Sequence, residues 1–184
     1  MPDAISIGRA RPEQARAIYA LLVECGRAMT GRGLRNWDPP PASPGSIEAE
    51  IAGDIVLAAL AGDGALVGTV TLRARPTHDY APDEVAGRVT WGAPGASGAT
   101  EANGATIRYM NRLAVHPALQ GTGLGGRLMT ASEEEARAAG AAALRFDVLA
   151  VNAPLVGWYE RRGARVCGWR RHSGKDFVVM EKVL

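Results

Sequence analysis

Residues 119–128 read LQGTGLGGRL, with Gly121, Gly123, Gly125 and Gly126 placed at the head of a helical-looking stretch. Glycines packed this way let main-chain N–H groups close around a phosphate at a helix N-terminus. The stretch satisfies parts of three phosphate-holding patterns. As G-x-G-x-x-G it uses Gly121, Gly123 and Gly126; as a P-loop it runs from Gly121 to Gly126; as Q-x-x-G-x-G it uses Gln120, Gly123 and Gly125.

The neighbouring residues separate these readings. A P-loop follows its last glycine with Lys and then Ser or Thr, whose hydroxyl ligates magnesium. Here Arg127 and Leu128 stand there, and leucine offers a metal no oxygen. The dinucleotide pattern turns directly from strand into helix and looks for an acidic residue about 20 positions on. Asp147 meets the second condition, but HPALQ separates Val115 from Gly121, and too little chain follows Gly126 to complete a doubly wound sheet. The third reading fits its surroundings. A strand ends at Val115, His116-Pro117 breaks it, a short loop leads to Gln120, and the glycines open a long helix. The amides at Gly121, Gly123, Gly125 and Gly126 then face a pyrophosphate, the helix dipole adds a favourable field, and side chains there would block the approach.

The elements that must position this loop follow from periodicity. AISIG at 4–8 reads as a first strand. Pro12 suits a first helical turn; Ala15, Ile18, Leu22, Cys25 and Met29 then recur at helical spacing until Gly31 and Gly33 stop the helix. A proline-rich connection at 36–45 leads to a short helix capped by Ser46. Two apolar runs, 55–60 and 65–72, flank Asp63-Gly64 as a hairpin. Residues 75–104 are rich in Pro, Gly, Ala and Asp and read as a loop insertion with a short strand at 87–92; Tyr80 and Trp91 within it could form part of a lid, the alternative being a disordered surface loop. A strand at 106–115 puts Ile107, Tyr109, Leu113 and Val115 on one face. A helix from about Gly121 to Ala139 buries Leu124, Leu128, Ala131 and Ala136. A strand at 143–152, a short helix at 153–163 and a final hairpin of strands at 164–169 and 176–183 complete the chain. The order is β-α-α-β-β-β-α-β-α-β-β, the mark of one mixed α/β sheet.

RLAVHPALQGTGLGGRLM resembles the acetyl-CoA signature of the GNAT superfamily of N-acetyltransferases, and RFDVLAVNAPLVGWYERRGARVCG resembles that family's later strand, Asn, and helix with Tyr. The resemblance covers residues 106–168; the N-terminal half agrees in element order. It implies a single domain over 1–184 whose mixed, mostly antiparallel, twisted sheet is flanked by helices and splayed at the cofactor strand. It implies that acetyl-CoA lies along that strand, with Leu113 and Val115 pairing with its pantetheine arm and the N–H of Ala114 or Val115 facing the oxyanion. Gln120, Gly121, Thr122, Gly123, Leu124, Gly125, Gly126 and Arg127 would hold the pyrophosphate. Asn152 would contact the cofactor near the pantetheine, and Tyr159 would protonate the leaving thiolate; its alternative is a packed aromatic beside Trp158. Related enzymes often place a carboxylate near position 111, where this chain has Asn111, which cannot take a proton. Asp147 could serve as base or be a satisfied carboxylate on the polar side of the sheet. Trp37 and Asp38 lie in the loop that commonly faces the acceptor; Trp37 could equally anchor that loop. The Arg cluster Arg161, Arg162, Arg165, Arg170 and Arg171 reads as a solvated face or an attractor for the 3′-phosphate of coenzyme A. The implied reaction moves acetyl from acetyl-CoA to a primary amine of a small molecule, amino acid or peptide; a non-catalytic acyl-CoA sensor on the same fold is the alternative. A homodimer is a further expectation from the family.

Bulk properties agree. The 184 residues suit one domain, and a hydrophobic share of 47% supports a core. A net charge of +2 argues against a dedicated nucleic-acid binder. Cys25 and Cys167 show neither metal-ligand nor disulfide spacing, so no metal and a reducing cytoplasm are expected. No signal peptide is visible, and the longest apolar run, 55–61, is too short to span a membrane.

Overall fold

Ala15, Ile18, Leu22 and Cys25, which recur at helical spacing in the sequence, are all buried along α1 (Ala15–Thr30). The computed structural model describes residues 5–37, 42–76 and 106–184. The other elements are β1 (Ser6–Arg9), α2 (Pro44–Gly53), β2 (Ile55–Leu60), β3 (Leu66–Arg73), β4 (Thr106–Val115), α3 (Leu124–Ala138), β5 (Ala141–Leu149), α4 (Ala153–Glu160), β6 (Arg165–His172) and β7 (Lys175–Val183). This is the expected order. The strands form one mixed sheet in the order β1-β2-β3-β4-β5-β7-β6. The β4–β5 pair is parallel, while β1–β2, β2–β3, β5–β7 and β6–β7 are antiparallel.

The chain divides into two compact units, one drawn from Met1–Arg73 and Met110–Glu135, the other from Ala74–Tyr109 and Ala136–Leu184. In the first, α1 and α2 close over a cluster built from Ala15, Ile18, Leu21, Leu22, Cys25, Ile47, Val56 and Ala114. In the second, β5, β7 and β6 form a ladder whose buried residues include Phe146, Val148, Val178 and Met180. The parallel ladder between β4 and β5 covers Thr106–Tyr109 and ends at Tyr109↔Arg145, whereas β5 stays paired with β7 to Leu149↔Phe177. Both hairpins turn on residues with positive φ: Gly64 (85°) in one, Ser173 (49°) and Gly174 (72°) in the other.

Several local expectations change. The N-cap of α2 is Ser43, not Ser46. Ser43 Oγ accepts the Ser46 N–H at 3.2 Å, Ser46 Oγ accepts the Ser43 N–H at 2.8 Å, and Pro44 fills the first turn, where its missing N–H is not needed. α3 starts at Leu124 rather than Gly121, because Gly121 (φ 83°) and Gly123 (φ 93°) are left-handed and cannot join a right-handed helix. On β4 the simple alternation fails. Ile107, Tyr109 and Leu113 are only half-buried, while Met110, Ala114 and Val115 are buried. Arg112, at φ 53°, breaks the pleat between them. The insertion, its strand at 87–92, Tyr80 and Trp91 fall wholly or largely outside the described residues. No described helix is long and apolar enough to cross a membrane.

Candidate functional site

In the first unit, β4 ends at Val115, a short turn at Pro117–Leu119 follows, and the glycine loop opens α3. The N–H groups of Gly121, Gly123, Leu124, Gly125 and Gly126 have no main-chain acceptor among the described residues; the first closure into the helix is Arg127 N–H to the Gly123 carbonyl at 3.1 Å. No acidic residue sits in the first turn of α3. The loop therefore presents several aligned donors at the positive end of a helix dipole, a donor set suited to an anion. A Cβ built on Gly121 or Gly123 would meet nothing within 4 Å. Both residues are left-handed, at φ 83° and 93°, so glycine is required at these two positions by the backbone itself, and the space beside them is open.

α1 and its exit grip this loop. Gln120, the first residue of the motif, turns its side chain inward: Nε2 donates to the Val115 carbonyl at 3.1 Å, and Oε1 accepts from Arg32 at 3.3 Å. The Cys25 thiol also donates to the Val115 carbonyl, at 3.3 Å. That carbonyl, expected to pair with a cofactor, already serves two donors. Burial pushes the Cys25 thiol up to about 11, so it stays protonated and is no nucleophile at neutral pH. His116 Nδ1 accepts the Ala118 N–H, and Nε2 lies 3.1 Å from Glu24, so both ring nitrogens are engaged. Arg127, expected at the pyrophosphate, donates instead to the Ile5 carbonyl at 2.6 Å.

Upstream on β4, Asn111 is half-buried beside Arg112, whose guanidinium forms an ion pair with Glu50 of α2. Burial lowers Arg112 to about 10, which leaves it charged at neutral pH. Neither Arg112 nor Glu50 was singled out from the sequence. The available signals were a charge inside an apolar strand and an acid three residues after Ile47 on the inward face of α2. Asp38 lies outside the described residues. Trp37 packs against the core cluster of the first unit, and its carbonyl lies 2.5 Å from where a Cβ on Gly26 would be, so it acts as the anchor of its loop.

In the second unit, Asn152 is the N-cap of α4 but makes no side-chain cap bond. An N-cap side chain bonds the N–H two or three positions on; Pro154 has none, which leaves the half-buried Asn152 amide available. Tyr159 follows on α4, 5% exposed, with its ring 4.6 Å from Phe146 and 4.8 Å from Trp158. Burial raises its phenol well above the ordinary tyrosine range, so it holds its proton. Asp147 is bound by Arg170 at 2.5 Å, which supports the satisfied-carboxylate reading. The Arg cluster is largely spent on such contacts: Arg165 meets the fully buried Glu181 at 3.1 Å, Arg162 stacks on Trp158 at 3.8 Å, and Arg171 lies 3.6 Å from Asp176. The expectation of a wholly solvated face fails, since Arg170 is only 2% exposed.

Comparison with known proteins places the fold. The overall structure resembles a GNAT-family acetyltransferase from Listeria monocytogenes (TM-score 0.72, 21% identity, covering 98% of this chain and 95% of that one). It resembles the PaiA N-acetyltransferase of Thermoplasma acidophilum, solved with coenzyme A (TM-score 0.69, 18% identity, 98% and 99%). It also resembles the ribosomal-protein-S18-alanine N-acetyltransferase of Escherichia coli (TM-score 0.66, 16% identity, 98% and 94%). A search of curated protein sequences finds no match. The profile of the acetyltransferase (GNAT) family, however, matches residues 16–164, and the chain belongs to that family.

Proposed function

We propose that this chain is an acetyl-CoA-dependent N-acetyltransferase acting on a primary amine of a small molecule, amino acid or peptide, with both units working as one domain. The observation that carries the reading is the set of N–H groups of Gly121, Gly123, Leu124, Gly125 and Gly126, which have no main-chain acceptor among the described residues, at the head of α3. Acetyl-CoA, the acetyl donor of this family, supplies the acetyl group as a reactive thioester. Within Gln120–Arg127, the main-chain donors of Gly121, Gly123, Leu124, Gly125 and Gly126 would hold its pyrophosphate, Leu113, Ala114 and Val115 would run beside its pantetheine arm, and Asn152 would donate to that arm. Tyr159 would stand by the sulfur. Because its phenolate is disfavoured by burial, Tyr159 Oη acts as a donor that steadies charge on the departing sulfur. Cys25 and Cys167 are free thiols, which suits a reducing compartment such as the cytoplasm.

The attacking amine must be neutral. Among the described candidates Asn111 takes no proton and Asp147 is committed to Arg170, so we assign deprotonation to solvent. The value of kcat/KM should then rise about tenfold per pH unit up to the pKa of the amine itself. A plateau reached well below that pKa would show an enzymic base and overturn the assignment.

Thermal unfolding tests the cofactor: acetyl-CoA should raise Tm and NAD should not, and no shift with acetyl-CoA or coenzyme A would remove the reading. Free-thiol release across a panel of amines tests the chemistry and identifies the acceptor class. Binding with no thiol release on any amine would favour the non-catalytic sensor instead.

A further inference from the structure

Two non-glycine residues among those described have φ in the left-handed region, Arg112 at 53° and Ser173 at 49°. Ser173 sits in a two-residue hairpin turn, where such a φ is ordinary. Arg112 sits inside a strand, where it is not. A strained φ persists only where the surroundings over-determine it. Here they are polar and buried. The Arg112 side chain is 10% exposed, is ion-paired to Glu50 of α2, and approaches Thr71 Oγ1 of β3 at 3.4 Å. Glu50, 9% exposed at its side chain, also lies 3.7 Å from Arg73, which reaches Asp54 at 3.5 Å. Two carboxylates and two guanidiniums balance, so the pair does not leave a lone buried charge.

The kink has a consequence for the strand beyond it. Before Arg112, the buried residue is Met110; after it, both Ala114 and Val115 are buried, and the Val115 carbonyl is gripped by Cys25 and Gln120. A left-handed residue inside a strand interrupts the pleat and bends the strand beyond it. We propose that Arg112 and Glu50 are positioning residues: their ion pair holds β4 kinked, and the kink sets the course of Leu113–Val115. The proposal rests on the acetyl-CoA reading, which assigns those residues to the pantetheine arm. Tied in this way, α2 fixes the direction of the cofactor strand without touching the cofactor.

The test separates the kink from the charges. Glu50→Gln/Arg112→Gly and Glu50→Gln/Arg112→Ala both remove the ion pair and differ by one methyl group. Glycine adopts a φ of 53° freely and alanine does not. By calorimetry, the glycine variant should bind coenzyme A about tenfold more tightly than the alanine variant, and it should melt at a higher temperature. Its KM for acetyl-CoA should recover with it, at a kcat the two variants share. Equal affinities and equal Tm values would overturn the proposal. If the wild type binds no coenzyme A, the cofactor reading falls, and the Tm comparison alone decides the kink: glycine above alanine supports it, and alanine equal or higher sinks it.

Discussion

Tyr159 is buried among Phe146 and Trp158, yet it carries the one hydroxyl that the proposed chemistry needs from α4. Tyr159→Phe keeps the packing and removes the donor. It should lower kcat by roughly 100-fold or more while coenzyme A still binds with wild-type affinity; an undiminished rate would remove Tyr159 from the mechanism. Gly123 makes a second case at the same scale. Its φ of 93° excludes ordinary side chains although there is open space around it. Gly123→Ala should therefore cost about 1–2 kcal/mol in denaturant unfolding and weaken coenzyme A binding. Gly121, Gly123, Asn152 and Tyr159 could be put forward as candidates because their types and spacing are local facts of the sequence. Arg112 was not. Nothing in the residues around it announces a left-handed φ, and its partner Glu50 lies on another helix, so only the folded chain brings the two charges together.

At the scale of elements, α1 is pinned from both sides. Its C-terminal half holds the end of β4 and the following His116 through Cys25 and Glu24, and the loop that leaves it folds back so that Trp37 lies against the helix at Gly26. A methyl group at Gly26 would lie 2.5 Å from the Trp37 carbonyl oxygen, so the loop must move. Gly26→Ala should lower stability by about 1–3 kcal/mol, measured by chemical denaturation, even though alanine is the better helix former. A stabilised variant would mean that Trp37 is not held there. The helices and strands were readable from periodicity and from Gly31, Gly33 and Gly64, since these signals act within a few residues. Helix starts were read less well. Ser43 and Ser46 are both good caps, and only Pro44, which is at ease in a first turn, decides between them.

For the whole molecule, burial of weak acids sets the response to alkali. The pKa of Cys25 is raised from 9.0 to about 11, and Cys167 and Tyr159 are also raised, in each case chiefly by desolvation. Above pH 9.0 the unfolded chain begins to release protons that the folded chain keeps. Stability is therefore full below that pH and falls as pH rises through the following two units. Arg112, lowered from 12.5 to about 10, acts in the opposite sense, but only above pH 10. The denaturant midpoint should be lower at pH 10 than at pH 8; a flat profile would show that these thiols are not shielded. A last consequence follows from the strand kinked at Arg112 and the helix behind it. β1–β3 belong with Met110–Glu135, which a ribosome delivers only after the whole of 75–104 has been made. Leu128 packs over Gly68, and Ala114 completes the cluster beneath α1. The early half of the nascent chain thus waits, with an apolar face uncovered, for a later segment to dock, and that interval is where a chaperone would find it.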